Sequence, residues 1–443
     1  ENAWVKGGSS FAAYKQAPID NYATLDVINV YFYNNHCGVG AAIRNRPNAT
    51  LTVNNSIFDS NRKSDSTGNM GIIYNNGTAY LNNLIFTDNY ARWGTVTNDH
   101  ILYIANSTLM NGKGYDGTSG FKNGPGIYVN TGTADYYRQY KVTDIYTSIE
   151  NCTFINNNQC DINIGSGDVS IIGNKFINST GIYELNPRYV SETSHNITNN
   201  TFSNMQPSTL TVTMLSASKP VYAFYSASSV FNTTINGNKI DVSNLSTGYG
   251  LYLTANSYVY NNTLNNYIYL NGNNNIIANN TVKTLRDYTV TTSSSAKNNT
   301  IVNNTLSSGM LSGDLSVSSN NNNIVENNTP KASIIIVTNN NYSQYFDADG
   351  KIIPGTIQSG SKILFSGNIT NKKFVFNNIN VYLANNDTAV LYNSSIISEN
   401  DSRIAIDGLK INNTDSSIGY VILLNSTNNK VINSEINVNT NGK

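Results

Sequence analysis

A six-residue pattern of apolar and polar positions organises most of the chain: apolar, any residue, Asn or Gly, any, any, apolar. It reads VINVYF at 27–32, VNNSIF at 53–58, LNNLIF at 81–86, IANSTL at 104–109, IENCTF at 149–154 and IIGNKF at 171–176. It continues as ITNNTF at 197–202, INGNKI at 235–240, VYNNTL at 259–264, IANNTV at 277–282, IVNNTL at 301–306 and VENNTP at 325–330. Most copies end 18 to 28 residues after the one before; the longer steps from Leu109 to Phe154 and from Phe202 to Ile240 mark insertions. The third slot holds Asn29, Asn55, Asn83, Asn106, Asn151, Gly173, Asn199, Gly237, Asn261, Asn279, Asn303 and Asn327. Asn and Gly are the residues that adopt the left-handed backbone most cheaply, Gly for want of a Cβ and Asn through local side-chain hydrogen bonds. Each copy therefore predicts a strand, a one-residue left-handed bend and a second strand, with apolar side chains directed inward on both arms.

No helical periodicity separates the copies, so the recurring bend describes a coil. Stacked coils lay strand on parallel strand, with inward Ile, Val, Leu and Phe in aligned columns. The predicted fold is all-β, a right-handed parallel β-helix of about 12 coils, about 60 Å long at about 4.8 Å per strand. The bend asparagines are expected to stack into amide ladders along the axis. A second repeat, GAAIRN (40–45), GIIYN (71–75), GTVTN (94–98) and GIYVN (126–130), supplies a Gly turn and a short strand on another face of the same coils.

The alternation of Gly-x-Ala-Ile-x-Asn with Asn-Asn-Ser-x-Phe resembles the repeats of chlamydial polymorphic outer membrane proteins. The Asn-Asn-Thr-rich copies look most like the adhesin-like surface proteins of methanogenic archaea. The resemblance covers about residues 1–330, with GVGA and NMGI where those families prefer Gly-Gly. It implies an extracellular, often glycosylated protein of the cell surface or cell wall that attaches to other cells or to glycans.

The solenoid is expected over 1–337, with insertions at 111–146, 183–195 and 205–231. Its last stretch, 331–337, reads as an apolar strand, and NNNYSQYFDADG (339–350), which follows it, as a polar cap. The same hexad restarts as LYNSSI (391–396), IDGLKI (406–411) and VINSEI (431–436), which predicts a second, smaller β-helical module over 338–443, incomplete at Lys443. The start at Glu1 suggests a processed or excised chain.

Charge narrows the function classes. The chain has 443 residues, 27 basic and 27 acidic side chains and 12% charged residues, about half the usual ~25%. A nucleic-acid partner needs a basic footprint that is missing here, and no apolar run approaches the ~20 residues of a membrane span. Frequent Asn-x-Ser/Thr tripeptides, among them Asn48, Asn76, Asn106, Asn178, Asn196, Asn232, Asn298, Asn368, Asn393 and Asn425, fit a secreted glycoprotein. Cys152 and Cys160 form a disulfide if their Cα atoms come within about 7 Å, which leaves Cys37 over.

Candidate chemistry is sparse. The insertion 111–146 carries DYYRQYKVTDIY, and Tyr136, Tyr137, Arg138, Tyr140 and Lys141 supply the stiff aromatic and cationic surface that binding sites favour. Glu184, Arg188, Glu192 and His195 fall in the second insertion, and Tyr249, Tyr252, Tyr258, Tyr260, Tyr267 and Tyr269 could stack sugars. No carboxylate pair, metal-ligand spacing or cofactor motif stands out. These readings converge on an extracellular, non-catalytic adhesin, with cell-surface glycans or proteins as partners and self-association as a further contact. A structural component of an archaeal surface layer or fibre, and a polysaccharide lyase or hydrolase, are the alternatives.

Overall fold

A computed structural model describes residues 3–6, 17–37, 40–63, 71–91, 94–113, 126–129, 144–158, 160–184, 193–207, 221–226, 231–242, 248–284, 288–307, 315–317, 321–328, 334–400, 402–426 and 429–439. Among these residues the first part of the chain forms three 12-stranded parallel sheets, each taking one strand per coil. Sheet A contains Val30–Tyr33, Ile57–Asp59 and Ile85–Thr87 and their successors; sheet B contains Ile19–Asn21, Ile43–Asn45 and Ile73–Asn75; sheet C contains Thr24–Ile28, Thr50–Asn54 and Thr78–Asn82. Every coil runs B, C, A and back to B, a parallel β-solenoid. The two sequence repeats map onto it directly. The Gly-led repeat supplies sheet B, and each hexad runs from the end of a sheet C strand into sheet A.

Hydrophobic burial follows the strand period of two. In sheet A, Phe32, Phe58, Phe86, Leu109, Phe154, Phe176, Phe202, Ile240 and Leu264 are all 3% exposed or less and form one inward column. Neighbouring phenylalanine rings stack along it at 4.5–4.9 Å where both partners are aromatic. In-register parallel pairing forces like side chains into contact across coils, so the core repeats in one dimension.

All twelve third-slot residues have positive φ, from 51° at Asn55 to 68° at Gly173. The ladder they were expected to build is formed chiefly by a different position. The left-handed bend turns the third-slot side chain outward, and the next residue, in slot four, points inward. Asn174, Asn200, Asn238, Asn262 and Asn280 are buried there. Each of the first four donates its backbone N–H and its side-chain Nδ2 to the next Oδ1 at 2.8–3.0 Å. In earlier coils Ser56 and Ser107 take this role, accepting from the backbone N–H of Val30 and Leu84. The bend residues make only exposed amide contacts, such as Asn83 Nδ2 to Asn55 Oδ1 at 2.7 Å.

A second left-handed corner, absent from the sequence reading, lies five residues after the first. It is occupied by Asn34, Ser60, Asp88, Asn111, Asn156, Asn178 and Asn204. It is followed by another buried ladder, Asn35 to Asn61 to Asn89. A third ladder ends the early sheet B strands, running Asn21, Asn45, Asn75 and Asn98 at 2.7–2.8 Å. Corners are where a coil cannot pair backbone groups within a sheet, and buried amides satisfy them instead.

The expected insertions break up. Within 111–146, Ile127–Val129 is a regular sheet B strand and Tyr146 opens a sheet C strand, so the extra residues lie between rungs of ordinary coils. Within 183–195, Tyr183 and Glu184 belong to Ile182–Glu184 of sheet B, while His195 belongs to Thr193–Thr198 of sheet C. Within 205–231, Tyr222–Ser226 is the sheet B rung of its own coil. The long spacing between hexads arises because the sheet B strand and the loops beside it carry no hexad.

The later part of the chain forms three smaller parallel sheets of five, four and three strands. Ile334–Val337, expected to close the first solenoid, pairs in parallel with Ser361–Phe365 and so opens the five-stranded sheet. A core of Val337, Phe346, Ile363, Phe365, Phe374, Phe376, Leu383 and Leu391 fills this module. The polar-cap segment contains a 3-10 turn at Tyr342–Gln344, and its Tyr342 and Phe346 pack on Phe374 with centroids at 5.4 and 5.1 Å. Asn393, Gly408 and Asn433 hold the bend slot with positive φ.

No disulfide joins Cys152 and Cys160, and all three cysteines are free and buried. Cys152 occupies the slot-four corner between sheets C and A, its Sγ 3.3 Å from Glu150 O. Cys160 instead lies against Tyr183 and Tyr222 on the far side of the coil. Nearness in sequence does not bring them together, because one strand and a turn intervene.

Candidate functional site

Sheet B carries an outward column of side chains in strict register: Asp20, Arg44, Tyr74, Thr97, Tyr128, Asn163, Tyr183, Tyr225, Tyr252 and Tyr269. At its early end Arg46 grips Asp20 through Nε and Nη2, both at 2.6 Å, and lies 4.7 Å over the Tyr22 ring. Arg44 sits 5.9 Å from the Tyr74 centroid, and Tyr74 donates to Asp99 Oδ2 at 2.6 Å. From Tyr74 through Tyr225 the column is buried on the outer side as well, with Tyr183 at 0% exposure.

The column ends in a tyrosine cluster. Tyr183, Tyr225, Tyr252 and Tyr269 form one file, with ring centroids at 5.9, 4.8 and 5.1 Å. Tyr222, Tyr249 and Tyr267 form a second, at 5.3 and 4.7 Å. Tyr222 and Tyr225 join the files at 4.7 Å. Tyr183, Tyr222, Tyr225 and Tyr267 are buried, whereas Tyr249, Tyr252 and Tyr269 are half-buried and open the cluster to solvent. Burial pushes the phenols of Tyr222, Tyr225, Tyr252 and Tyr269 above their usual range. They stay neutral at physiological pH, offering O–H donors and oxygen acceptors on an apolar floor.

Of the six tyrosines singled out in the sequence, Tyr249, Tyr252, Tyr267 and Tyr269 join this cluster. Tyr258 and Tyr260 lie on sheet C, a different face. Tyr183, Tyr222 and Tyr225 were missed because their strands are separated from the others by long intervening segments. The signal of Tyr183 and Tyr225 was a tyrosine at the second position of an Ile-Tyr-Glu or Phe-Tyr-Ser rung, readable only once the sheet B register is known.

Two buried polar groups belong to the interior. Glu184 and His195, read as loop residues, face into the core with no exposed side-chain surface, joined Oε1 to Nδ1 at 2.6 Å, and Thr233 donates to the same Oε1 at 2.8 Å. They are sealed away from any substrate. Asp161 is likewise fully buried. It accepts from Ser179 Oγ, from Asn157 Nδ2 at 2.8 Å, and from the backbone N–H of Thr180 and Gly181 at 3.0 and 2.6 Å. Burial nevertheless wins and pushes its carboxyl up to about 6 from 3.8.

A folded-state value above the unfolded one means that the native chain holds this proton more tightly. The carboxyl therefore favours folding at low pH, and its contribution falls as pH climbs from about 4 to about 6. Relative to Asp161→Asn, the wild-type protein should gain up to roughly 3 kcal/mol in urea-measured stability as pH drops through that window. A constant difference between the two proteins would show that Asp161 ionises alike in both states.

Tyr136, Tyr137, Arg138, Tyr140 and Lys141 lie outside the described residues. Of the sequon asparagines, Asn48, Asn106, Asn178, Asn232, Asn298, Asn368 and Asn425 are exposed and Asn196 and Asn393 half-buried, whereas Asn76 is buried. The abundance of sequons has an architectural source. Seven of the twelve hexads contain Asn-x-Thr from the bend Asn onward, and in six of them, among the described residues, that Thr opens a sheet A strand. Among the described residues, no three His, Cys, Asp or Glu side chains gather as metal ligands would.

No family model matches this chain, and no curated protein matches it. Among solved structures it is similar to a PL6 alginate lyase in complex with a trisaccharide, at 10% identity and TM-score 0.27, covering 93% of this chain and 83% of that one. It is also similar to the alginate lyase AlyF-OU02 with G6, at 12% identity and TM-score 0.25 with the same coverage. A third is the A-module of the Azotobacter vinelandii mannuronan C-5 epimerase AlgE6, at 11% identity and TM-score 0.19, covering 92% and 90%. The likeness is one of coiled architecture. All three neighbours bear the names of polysaccharide-acting enzymes, and none that of the non-catalytic adhesin expected from the sequence; likeness of this degree assigns no activity to this chain. The resemblance to surface adhesins reduces to the parallel β-solenoid itself.

Proposed function

We propose that this protein acts on polysaccharide chains, as a lyase or hydrolase, and holds its glycan at the open end of the tyrosine cluster. The observation that carries this reading is the half-exposed surface of Tyr249, Tyr252 and Tyr269, backed by buried tyrosines and set by in-register strands. Aromatic bodies with polar tips suit sugars, which present both apolar ring faces and hydroxyls. The rings repeat at the coil spacing, so successive sugar units of an extended chain can each meet a phenol. Burial keeps the phenols of Tyr252 and Tyr269 protonated, which suits them to donating hydrogen bonds to sugar hydroxyls and ring oxygens.

A panel of neutral and uronic-acid polysaccharides tests the reading, with scission followed through new reducing or unsaturated chain ends. At least one member should be cut. The double change Tyr252→Ala with Tyr269→Ala should lower kcat/KM about tenfold or more while the far-ultraviolet spectrum stays that of the parent. A folded protein that cuts nothing refutes the proposal.

A further inference from the structure

Among the described residues, sheet C carries five tyrosines outside the glycan reading, Tyr80, Tyr103, Tyr146, Tyr258 and Tyr260, and the first two stand out. Tyr80 and Tyr103 are directly opposite each other on neighbouring parallel strands, Thr78–Asn82 and Ile101–Ala105. Their rings stack with centroids 5.2 Å apart and planes only 5° from parallel, yet they remain 45% and 40% exposed. Thr52 precedes them in the same outward column and Ser148 follows. Among the described residues Tyr146 also approaches Tyr103, at 5.6 Å and tilted by 51°.

We infer that Tyr80 and Tyr103 form an oxidative cross-linking site, at which one-electron oxidation joins two adjacent coils through a dityrosine bond. Each phenol loses one electron and one proton to become a phenoxyl radical. The radicals couple through one new carbon–carbon bond between Cε atoms, and the ring hydrogens shift back to oxygen to restore two phenols. The protein loses two hydrogens in all. The oxidant is hydrogen peroxide acting through a haem peroxidase; it accepts the two electrons and two protons and leaves as two waters. Radical coupling between free tyrosines is limited by encounter, and the rigid rungs remove that limit by holding the rings side by side. Exposure gives the oxidant access to both rings and leaves the side chains room to pivot from stacked to bonded geometry. The buried cluster on sheet B offers similar ring spacing without that access at Tyr183, Tyr222 and Tyr225.

Treating the intact protein with peroxidase and peroxide at micromolar concentration tests the site. Dityrosine fluorescence should appear in the monomer band, and digestion should yield the peptide bearing Tyr80 joined to the peptide bearing Tyr103, lighter by two hydrogens than their sum. Tyr80→Phe and Tyr103→Phe keep the stacked ring but remove the oxidisable hydroxyl, so each alone should abolish that product while the protein stays folded. The linked monomer should also unfold at higher denaturant concentration than the untreated one. Fluorescence confined to oligomers, or a monomer cross-link that persists in Tyr80→Phe, overturns the assignment.

Discussion

Ile277→Asp should lower the stability of the first solenoid by several kcal/mol and shift its urea midpoint by more than any surface change. Ile277 is fully buried in the inward column of sheet C, in register with Val259 before it and Ile301 after it. The substitution removes an apolar side chain whose burial is worth about 1.5–3 kcal/mol. It also places a carboxylate among aliphatic neighbours with no donor in the column, which costs several kcal/mol more whether the group stays charged or takes up a proton. Whole domains are stable by only about 5–15 kcal/mol, so a loss of this size is a large share of the total. An unchanged midpoint would mean that this slot is not core.

Asn238→Ala is expected to cost roughly 2–5 kcal/mol, although it deletes only an amide. The side chain accepts from Asn200 N and Nδ2 at 2.8 and 3.0 Å and donates to Ile197 O and Asn262 Oδ1 at 2.8 and 2.9 Å. Alanine leaves the buried backbone N–H of Asn200 without its acceptor, at about 1–3 kcal/mol, and removes three further buried hydrogen bonds at about 0.5–1.5 kcal/mol each. The neighbouring bend asparagine provides the control. Asn261→Ala, one coil on at an exposed left-handed position, should lose about 1–2 kcal/mol through backbone strain alone. Urea titrations of the two variants side by side decide the matter. Equal losses would show that the ladder adds nothing beyond the bend.

The contrast between these asparagines marks how far sequence reading reached. The third-slot residues were legible because Asn and Gly adopt their backbone most cheaply, a local constraint that leaves a local signature. The slot-four ladder was not, because Asn, Ser and Cys all fill it and its bonds run to a residue some 18 to 38 positions away. The same distance hid the tyrosine cluster. Tyr183, Tyr225, Tyr252 and Tyr269 share one column only after the segments between their strands are taken out of the count. Frequent sequons were read as a sign of glycosylation, yet in the hexads they follow from a bend, a corner and a β-branched strand start occurring in that order.

Periodicity alone was enough to establish a parallel coil, the first of its left-handed corners and the apolar column of Phe32, Phe58 and Phe86, because each rests on the stereochemistry of a few adjacent residues. Which side chains meet across coils was decided only in three dimensions. Register assigned Glu184 and His195 to the interior, separated Cys152 from Cys160, left Tyr80 and Tyr103 facing each other at the surface, and gathered the tyrosines that form the candidate glycan site. Parallel stacking is the physical reason. It brings together residues a full turn apart, and the length of each turn varies with loops whose composition carries no period.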